Sequence, residues 1–189
     1  AQARKNLPDH IGGVIWFGTD DAATSPLTPI YCGTTDVPES LAEGTADMLT
    51  YSDKSMFWVT NRIAQFAYLR YDHIGKEVRT VIDEWENSMI DELKKQDKVW
   101  AEMSPKKMTK KATEWSVENA QALWKKWSEL DDYLMVKYID GNVKLQNEDG
   151  SFMNNGHHPS QPEFPEQSGY SEKFLRAIAA DNPLLRVVK

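Results

Sequence analysis

Cysteine is almost missing from this 189-residue sequence, Cys32 being the single one, so an internal disulfide is ruled out and the thiol content leaves the compartment open. Long apolar runs are missing too. No uninterrupted stretch reaches the roughly 18 residues a spanning helix needs, and the mean hydropathy of −0.61 agrees. Positive charge is in deficit, with 22 Lys and Arg against 29 Asp and Glu for a net charge of −7, which argues against a general nucleic-acid binder. Several catalytic signatures are also lacking: paired His at metal spacing on a helix, a glycine-rich phosphate loop followed by Lys, and a Gly-x-Ser-x-Gly elbow. Asn-x-Ser/Thr does not occur, so no glycan site speaks for secretion, and neither an internal repeat nor a flexible linker is visible.

What is present is material for a packed core. Hydrophobic residues make up 40% of the chain, and its length suits one core of ordinary size. Seven Trp are many for this length, and rings of that size bury large areas, so an aromatic core is expected ahead of a ring-lined cleft. The sequence opens Ala1-Gln2-Ala3-Arg4-Lys5 with no apolar signal segment, the opening expected of a chain stripped of a leader or cut from a larger protein.

The pattern along the chain is α+β. Gly12-Gly13 releases Val14-Ile15-Trp16-Phe17, an apolar run too short for a helix, which predicts a strand covered on both faces. After the turn-forming Asp20 to Pro26, Leu27 to Gly33 reads as a second strand able to pair antiparallel with the first, and Pro29 makes it an edge or bends it. Ser52 or Asp53 is the expected cap of a helix through Met56, Val59, Ile63, Phe66, Ala67 and Tyr71, apolar nearly all round and therefore central. After Asp72 to Gly75, a surface helix places Val78, Ile82, Trp85, Met89, Leu93, Gln96 and Trp100 on one stripe. Ser104-Pro105 starts a third helix carrying Ala112, Trp115, Asn119, Leu123, Trp127, Leu130, Leu134 and Tyr138, closed by Gly141. Val143 to Leu145 and Phe152 flank Asp149-Gly150 as a small hairpin candidate, Asn154 to Ser168 reads as loop, and Ser171 caps a last helix that stops at Asn182-Pro183. The organisation expected is residues 1–50 for the strand pair and loop, 51–141 for three long helices and 142–189 for an irregular segment with a terminal helix, all one structural unit.

Few residues invite a catalytic reading. His157-His158 sits in the Pro-rich loop, where adjacent histidines are more often solvated than ligands, and His10 and His73 are isolated. Cys32 lies between Tyr31 and Gly33 in a strand, and free Cys is among the most buried residue types, so a structural thiol is favoured over a nucleophile. Asp20 and Asp21 stand where a turn needs Asp for its own backbone bonding, a place bordering a site being the minority view. Asn61 and Arg62 interrupt an apolar helix and are expected to be buried anchors for the adjacent loop.

The run Gly13-Val14-Ile15-Trp16-Phe17-Gly18-Thr19-Asp20-Asp21-Ala22-Ala23-Thr24-Ser25-Pro26-Leu27-Thr28-Pro29-Ile30-Tyr31-Cys32-Gly33 resembles the later part of the bacterial dipeptidase A type cysteine peptidases, relatives of the secernins. Ser55 to Tyr68 is similar to the helix that follows in that family, and together the likeness covers Gly12 to about Glu102. The resemblance implies an N-terminal-nucleophile hydrolase, in which a Cys that begins the mature chain attacks an amide with its own α-amine as base. It further implies a four-layer sandwich of helices on two antiparallel sheets, dipeptides or other small amides as substrates, and no metal or organic cofactor.

The chain departs from that pattern at the nucleophile. Cys32 is interior and has no α-amine of its own, so no family catalytic residue is carried onto a position here. The expectation is the C-terminal portion of a dipeptidase, a scaffold with Asp20, Asp21 and the strand-end loop as part of the pocket wall, inactive alone, partnered by an N-terminal half that carries the nucleophile. Exposed strand edges would add self-association. Two other readings stand beside it: a self-standing helical protein-interaction module, and an independent thiol enzyme using Cys32 with His10 or His73.

Overall fold

In the computed structural model, which describes residues 1–139, 142–153, 166–167 and 172–181, the first sheet has three strands. β1 (Gln2–Ala3), β2 (Gly13–Phe17) and β3 (Thr28–Tyr31) lie in that order, both pairs antiparallel, with Val14 opposite Gln2 on one side and Tyr31 on the other. The β2–β3 pair and the edge position of Pro29 are as the pattern predicts; β1 has only two residues, below what periodicity can register. A helical turn, α1 (Asp9–Gly12), leads into β2. A Cβ on Gly13 would come within 2.9 Å of Cys32 Sγ, so the strands close where only hydrogen fits.

The expectation that β2 is covered on both faces is corrected. Val14 is fully buried, whereas Ile15 and Phe17 are 44% and 42% exposed, because among the described residues helices pack on one face of the sheet only. The outer edge of β3 is nevertheless closed to further pairing. Leu27 N–H donates to Glu86 Oε1 at 3.0 Å, Pro29 has no donor, and Tyr31 N–H donates to Ser116 Oγ at 3.1 Å.

Three helices follow: α2 (Met56–Leu69), α3 (Tyr71–Trp100) and α4 (Pro105–Tyr138). The residue before α2 is Ser55, not Ser52 or Asp53; Ser52 Oγ instead accepts the Lys54 N–H within the preceding turn. α2 is not central all round. It buries Met56, Val59, Thr60, Ile63, Ala64 and Ala67, while Tyr68 and Leu69 at its end face solvent. The break before α3 is a single residue, Arg70 (φ −149°, ψ 61°), so Asp72 to Gly75 is helix rather than connection. Within it Gly75 packs beneath Tyr71, whose ring would lie 3.1 Å from an added Cβ. The stripes of α3 and α4 are buried as their spacing predicts, with Asp97 in place of Gln96 on the inner face of α3.

The sheet joins the helices through Ile11, Val14, Tyr31, Leu93, Trp100, Met108 and Ala112. Tyr31, Trp100 and Trp115 form a ring cluster with centroids 5.5 to 6.3 Å apart, tilted or edge-on as aromatic quadrupoles prefer. Under it lies a polar knot. Arg4 donates to Asp97 Oδ2 and to Ile11 O, its guanidinium sits 5.3 Å from the Tyr31 ring centroid, and Tyr31 O–H donates to Asp97 Oδ1 at 2.7 Å. Burial pushes the Asp97 carboxyl above its ordinary range, against the opposing pull of Tyr31 and Arg4, and burial raises the Tyr31 hydroxyl as well.

Two compact units divide the chain, Ala1–Leu134 and Met135–Lys189; everything above except the end of α4 lies in the first. In the second, Gln146 bridges Phe152 across a turn at Asn147 to Gly150, and Gly150 takes φ +84°, the left-handed backbone such a turn requires of glycine. The hairpin candidate thus forms. β4 (Asn142–Val143) pairs antiparallel with β5 (Glu166–Gln167), and α5 (Glu172–Asp181) carries an Arg176–Glu172 pair one turn apart. Gly141, His157, His158, Ser171, Asn182 and Pro183, with most of the loop from Asn154 to Ser168, lie outside the described residues.

Candidate pocket wall beyond the second strand

Where β2 ends, the chain turns back past Gly18 to enter β3, and Leu27 Cδ2 packs close over it, 3.0 Å from where a Cβ would stand. Asp21 holds the turn. Its Oδ1 accepts the N–H groups of Ala23 at 2.7 Å and Thr24 at 3.0 Å, and its backbone carbonyl accepts Ser25 N–H. This is the turn chemistry expected of an Asp at this place. Its other oxygen accepts the Tyr68 hydroxyl at 2.6 Å, tying the loop to α2. Burial acts to raise the Asp21 carboxyl, but the hydrogen bonds from Tyr68, Thr24 and Ala23 outweigh it and hold the group below the ordinary carboxylate value.

Further stitches come from the helices. Arg79 Nη2 donates to Ala23 O at 3.1 Å, Trp85 Nε1 to Leu27 O at 3.1 Å, and Thr19 Oγ1 to Thr60 Oγ1 at 3.3 Å. Asn61 Nδ2 lies 3.4 Å from both oxygens of Asp20. Asn61 and Arg62 are half-buried rather than buried, yet both anchor loops: Arg62 pairs with Asp131 and donates to Tyr51 O–H at 3.0 Å.

The loop borders an open cavity of about 310 Å³ lined by Gly18, Asp20, Ala22, Ser25, Leu27, Arg79 and Glu86. Two of its three charged residues, Arg79 and Glu86, sit on the polar face of α3 and were not legible as site residues, since sequence alone cannot tell a pocket-facing charge from a solvated one. A second cavity of about 300 Å³ lies between α2 and α4, with Tyr51, Trp58 and Trp124 beside Arg62, Asp131 and Asp132. Trp therefore lines a cleft as well as filling the core, where Trp127 is fully buried.

Cys32 requires a correction. It sits one residue past β3 and is exposed, its backbone N–H bonded to Gly13 O, because its side chain leaves the open face of the sheet. No base is hydrogen-bonded to its sulfur among the described residues: His10 Nδ1 faces Thr109 Oγ1 at 3.3 Å, and His73 Nε2 lies 3.2 Å from Asp72. Neither histidine forms the dyad that an independent thiol enzyme would need. No group of three or more His, Cys, Asp or Glu able to hold a metal occurs among the described residues, and none of their helices is long and apolar enough to cross a membrane.

Residues 1–84, which contain β1 to β3, α2 and the strand-end loop, match the model of peptidase family C69. Among curated proteins, the chain is 25% identical over 140 residues to the probable dipeptidase B of Streptococcus pyogenes serotype M1. That match takes in 71% of this chain and 27% of the relative, so the chain spans about a quarter of that protein's length. No solved structure matches.

Proposed function

We propose, from the premise that residues 1–84 are a family C69 peptidase region of dipeptidase type, that the chain is scaffold and substrate-pocket wall of an amide hydrolase whose nucleophile lies outside these 189 residues. The observation that carries the reading is the strand-end loop. Asp21 and the helix residues Thr60, Asn61, Tyr68, Arg79, Trp85 and Glu86 fix it beside a small cavity of mixed charge, all but Trp85 and Glu86 inside the region that matches the family. A wall preset in this way positions a substrate without reorganising during reaction. The four-layer N-terminal-nucleophile sandwich and the partner half bearing the nucleophile belong to this proposal, as does self-association, which would use the open face carrying Ile15 and Phe17 instead of the closed edge of β3.

The chemistry proposed for the whole enzyme is attack of a thiolate on the dipeptide carbonyl, expulsion of the amine and hydrolysis of the acyl-enzyme by water. In this reading Cys32 is not that thiolate, being mid-chain, with no α-amine of its own, and without a hydrogen-bonded base among the described residues. The test is incubation of the purified chain with a panel of dipeptides. No turnover is expected, and turnover above blank, whether lost or retained in Cys32→Ala, would overturn the proposal.

A further inference from the structure

The cavity beyond β2 brings charges of both signs together with hydrogen-bonding capacity left over. A guanidinium has five N–H donors. Arg79 uses Nη2 for Ala23 O and holds Nη1 3.5 Å from Asp83, which leaves donors to spare. Glu86 commits Oε1 to Leu27 N–H, and Asp20 receives only the long 3.4 Å contacts from Asn61. Ser25 adds an independent sign. It is 6% exposed, it lines the cavity, and its Oγ has no hydrogen-bond partner. Buried hydroxyls are almost always paired; among the described residues Ser25 Oγ is one of six buried side-chain atoms left without a partner, and the one of the six whose residue lines this cavity, where a ligand atom can meet it.

We propose that this cavity binds a free dipeptide as a zwitterion: Arg79 takes the carboxylate, Asp20 and Glu86 take the ammonium, and Ser25 Oγ completes its bonding on the ligand. A guanidinium matches a carboxylate fork by geometry and charge, and a ligand bearing one charge of each sign finds a partner of opposite sign at both ends. Neither a simple anion nor a simple cation does so. Naming the ligand a dipeptide rests on the dipeptidase reading; the demand for both charges rests on the residues alone.

The experiment is titration of the ¹⁵N-labelled 189-residue chain with alanyl-alanine, followed by amide spectra, with hydrolysis monitored in the same tube. Saturable shifts confined to residues 18–27 and 79–86 are expected, with a Kd on the order of 1 mM. Acetylating the amine or amidating the carboxylate should each weaken binding about tenfold. In Arg79→Gln the amidation penalty should vanish while the acetylation penalty persists, and Asp20→Asn should do the reverse in part. Ser25→Ala should weaken binding about threefold. Dispersed spectra of Arg79→Gln and Asp20→Asn verify folding, since both side chains are at the surface. Shifts elsewhere, no saturation, or equal response to the doubly blocked dipeptide would overturn the proposal. Hydrolysis bears on the proposed function and the charge dependence of binding on this one, so the two can fail separately.

Discussion

Replacing Arg4 by Met would remove one partner of the buried knot and leave the rest in place. Met keeps most of the apolar stem, so the change isolates the guanidinium. Asp97 is 7% exposed, and without Arg4 its carboxylate retains only the Tyr31 hydroxyl. Removing one member of a buried ion pair costs about 3–5 kcal/mol; the Arg4 side chain is 16% exposed, which places this case at the lower end. A cost of about 3 kcal/mol corresponds to a drop in Tm of about 6–12 °C for a chain of this size. The pH dependence is the sharper test. Asp97 titrates above its unfolded value because of burial, and Arg4 is one of the groups pulling it down, so the variant raises it further. A carboxyl with a raised folded pKa contributes stability that is full below the unfolded value and lost as pH rises through the folded one. The variant's cost should therefore be small near pH 4 and complete near pH 7, about three units above the unfolded Asp value. Urea unfolding followed by Trp fluorescence reads both. In an Asp97→Asn background the neutral-pH cost should fall to about 1 kcal/mol, the residue of the cation–π contact and the Ile11 bond. A cost below about 1 kcal/mol at neutral pH, or one equal at both pH values, would refute the argument.

Ser116→Ala should cost about 1–3 kcal/mol in urea unfolding, because the buried Tyr31 N–H loses its acceptor; a cost below about 0.5 kcal/mol would mean that the edge of β3 is capped some other way. For Asp21 the sign is opposite to that of Asp97: a lowered folded pKa contributes stability above the unfolded value that is lost as pH falls. Asp21→Asn should therefore be less stable than the parent at neutral pH and converge with it in acid, while Asp21→Ala, which also loses the one oxygen that accepts both turn N–H groups, should cost about 1 kcal/mol more. Gly75→Ala should stabilise by up to about 1 kcal/mol through helix propensity, since the ring it presses on belongs to exposed Tyr71 and can move; a net loss in thermal unfolding would show that the ring is held.

How much of this was legible follows from which interactions leave a local trace. The stripes of α3 and α4 did, because Val78 to Trp100 and Ala112 to Tyr138 repeat at helical spacing for many turns. The β2–β3 pair did, its strands separated by turn-formers. The start of α2 was misplaced because Ser52, Asp53 and Ser55 are all acceptable caps and local sequence does not choose among them. The burial of β2 was overestimated because Ile15 and Phe17 look like core residues wherever they point. Arg4, Asp97, Arg79 and Glu86 left no trace: each is an ordinary charge whose partner is long-range in sequence, as with Arg4 and Asp97, 93 residues apart. Of the pocket wall, Asp20 and Asp21 could be marked in advance and the helix residues facing them could not.

The family match ends at residue 84, within α3. Yet the groups that hold its sheet and loop lie beyond that point: Trp85 on Leu27 O, Glu86 on Leu27 N–H, Asp97 on Arg4 and Tyr31, and Ser116 on Tyr31 N–H. Without them the edge of β3 would present unpaired donors, and the buried Tyr31 ring would lose Trp100 and Trp115 as well. A three-stranded sheet of two, five and four residues needs an apolar face packed on helices to be stable. The matched segment therefore draws part of its stability from the residues that follow it, and the bonds of Trp85 and Glu86 to Leu27 hold the sheet edge and one wall of the cavity beside Asp20 together.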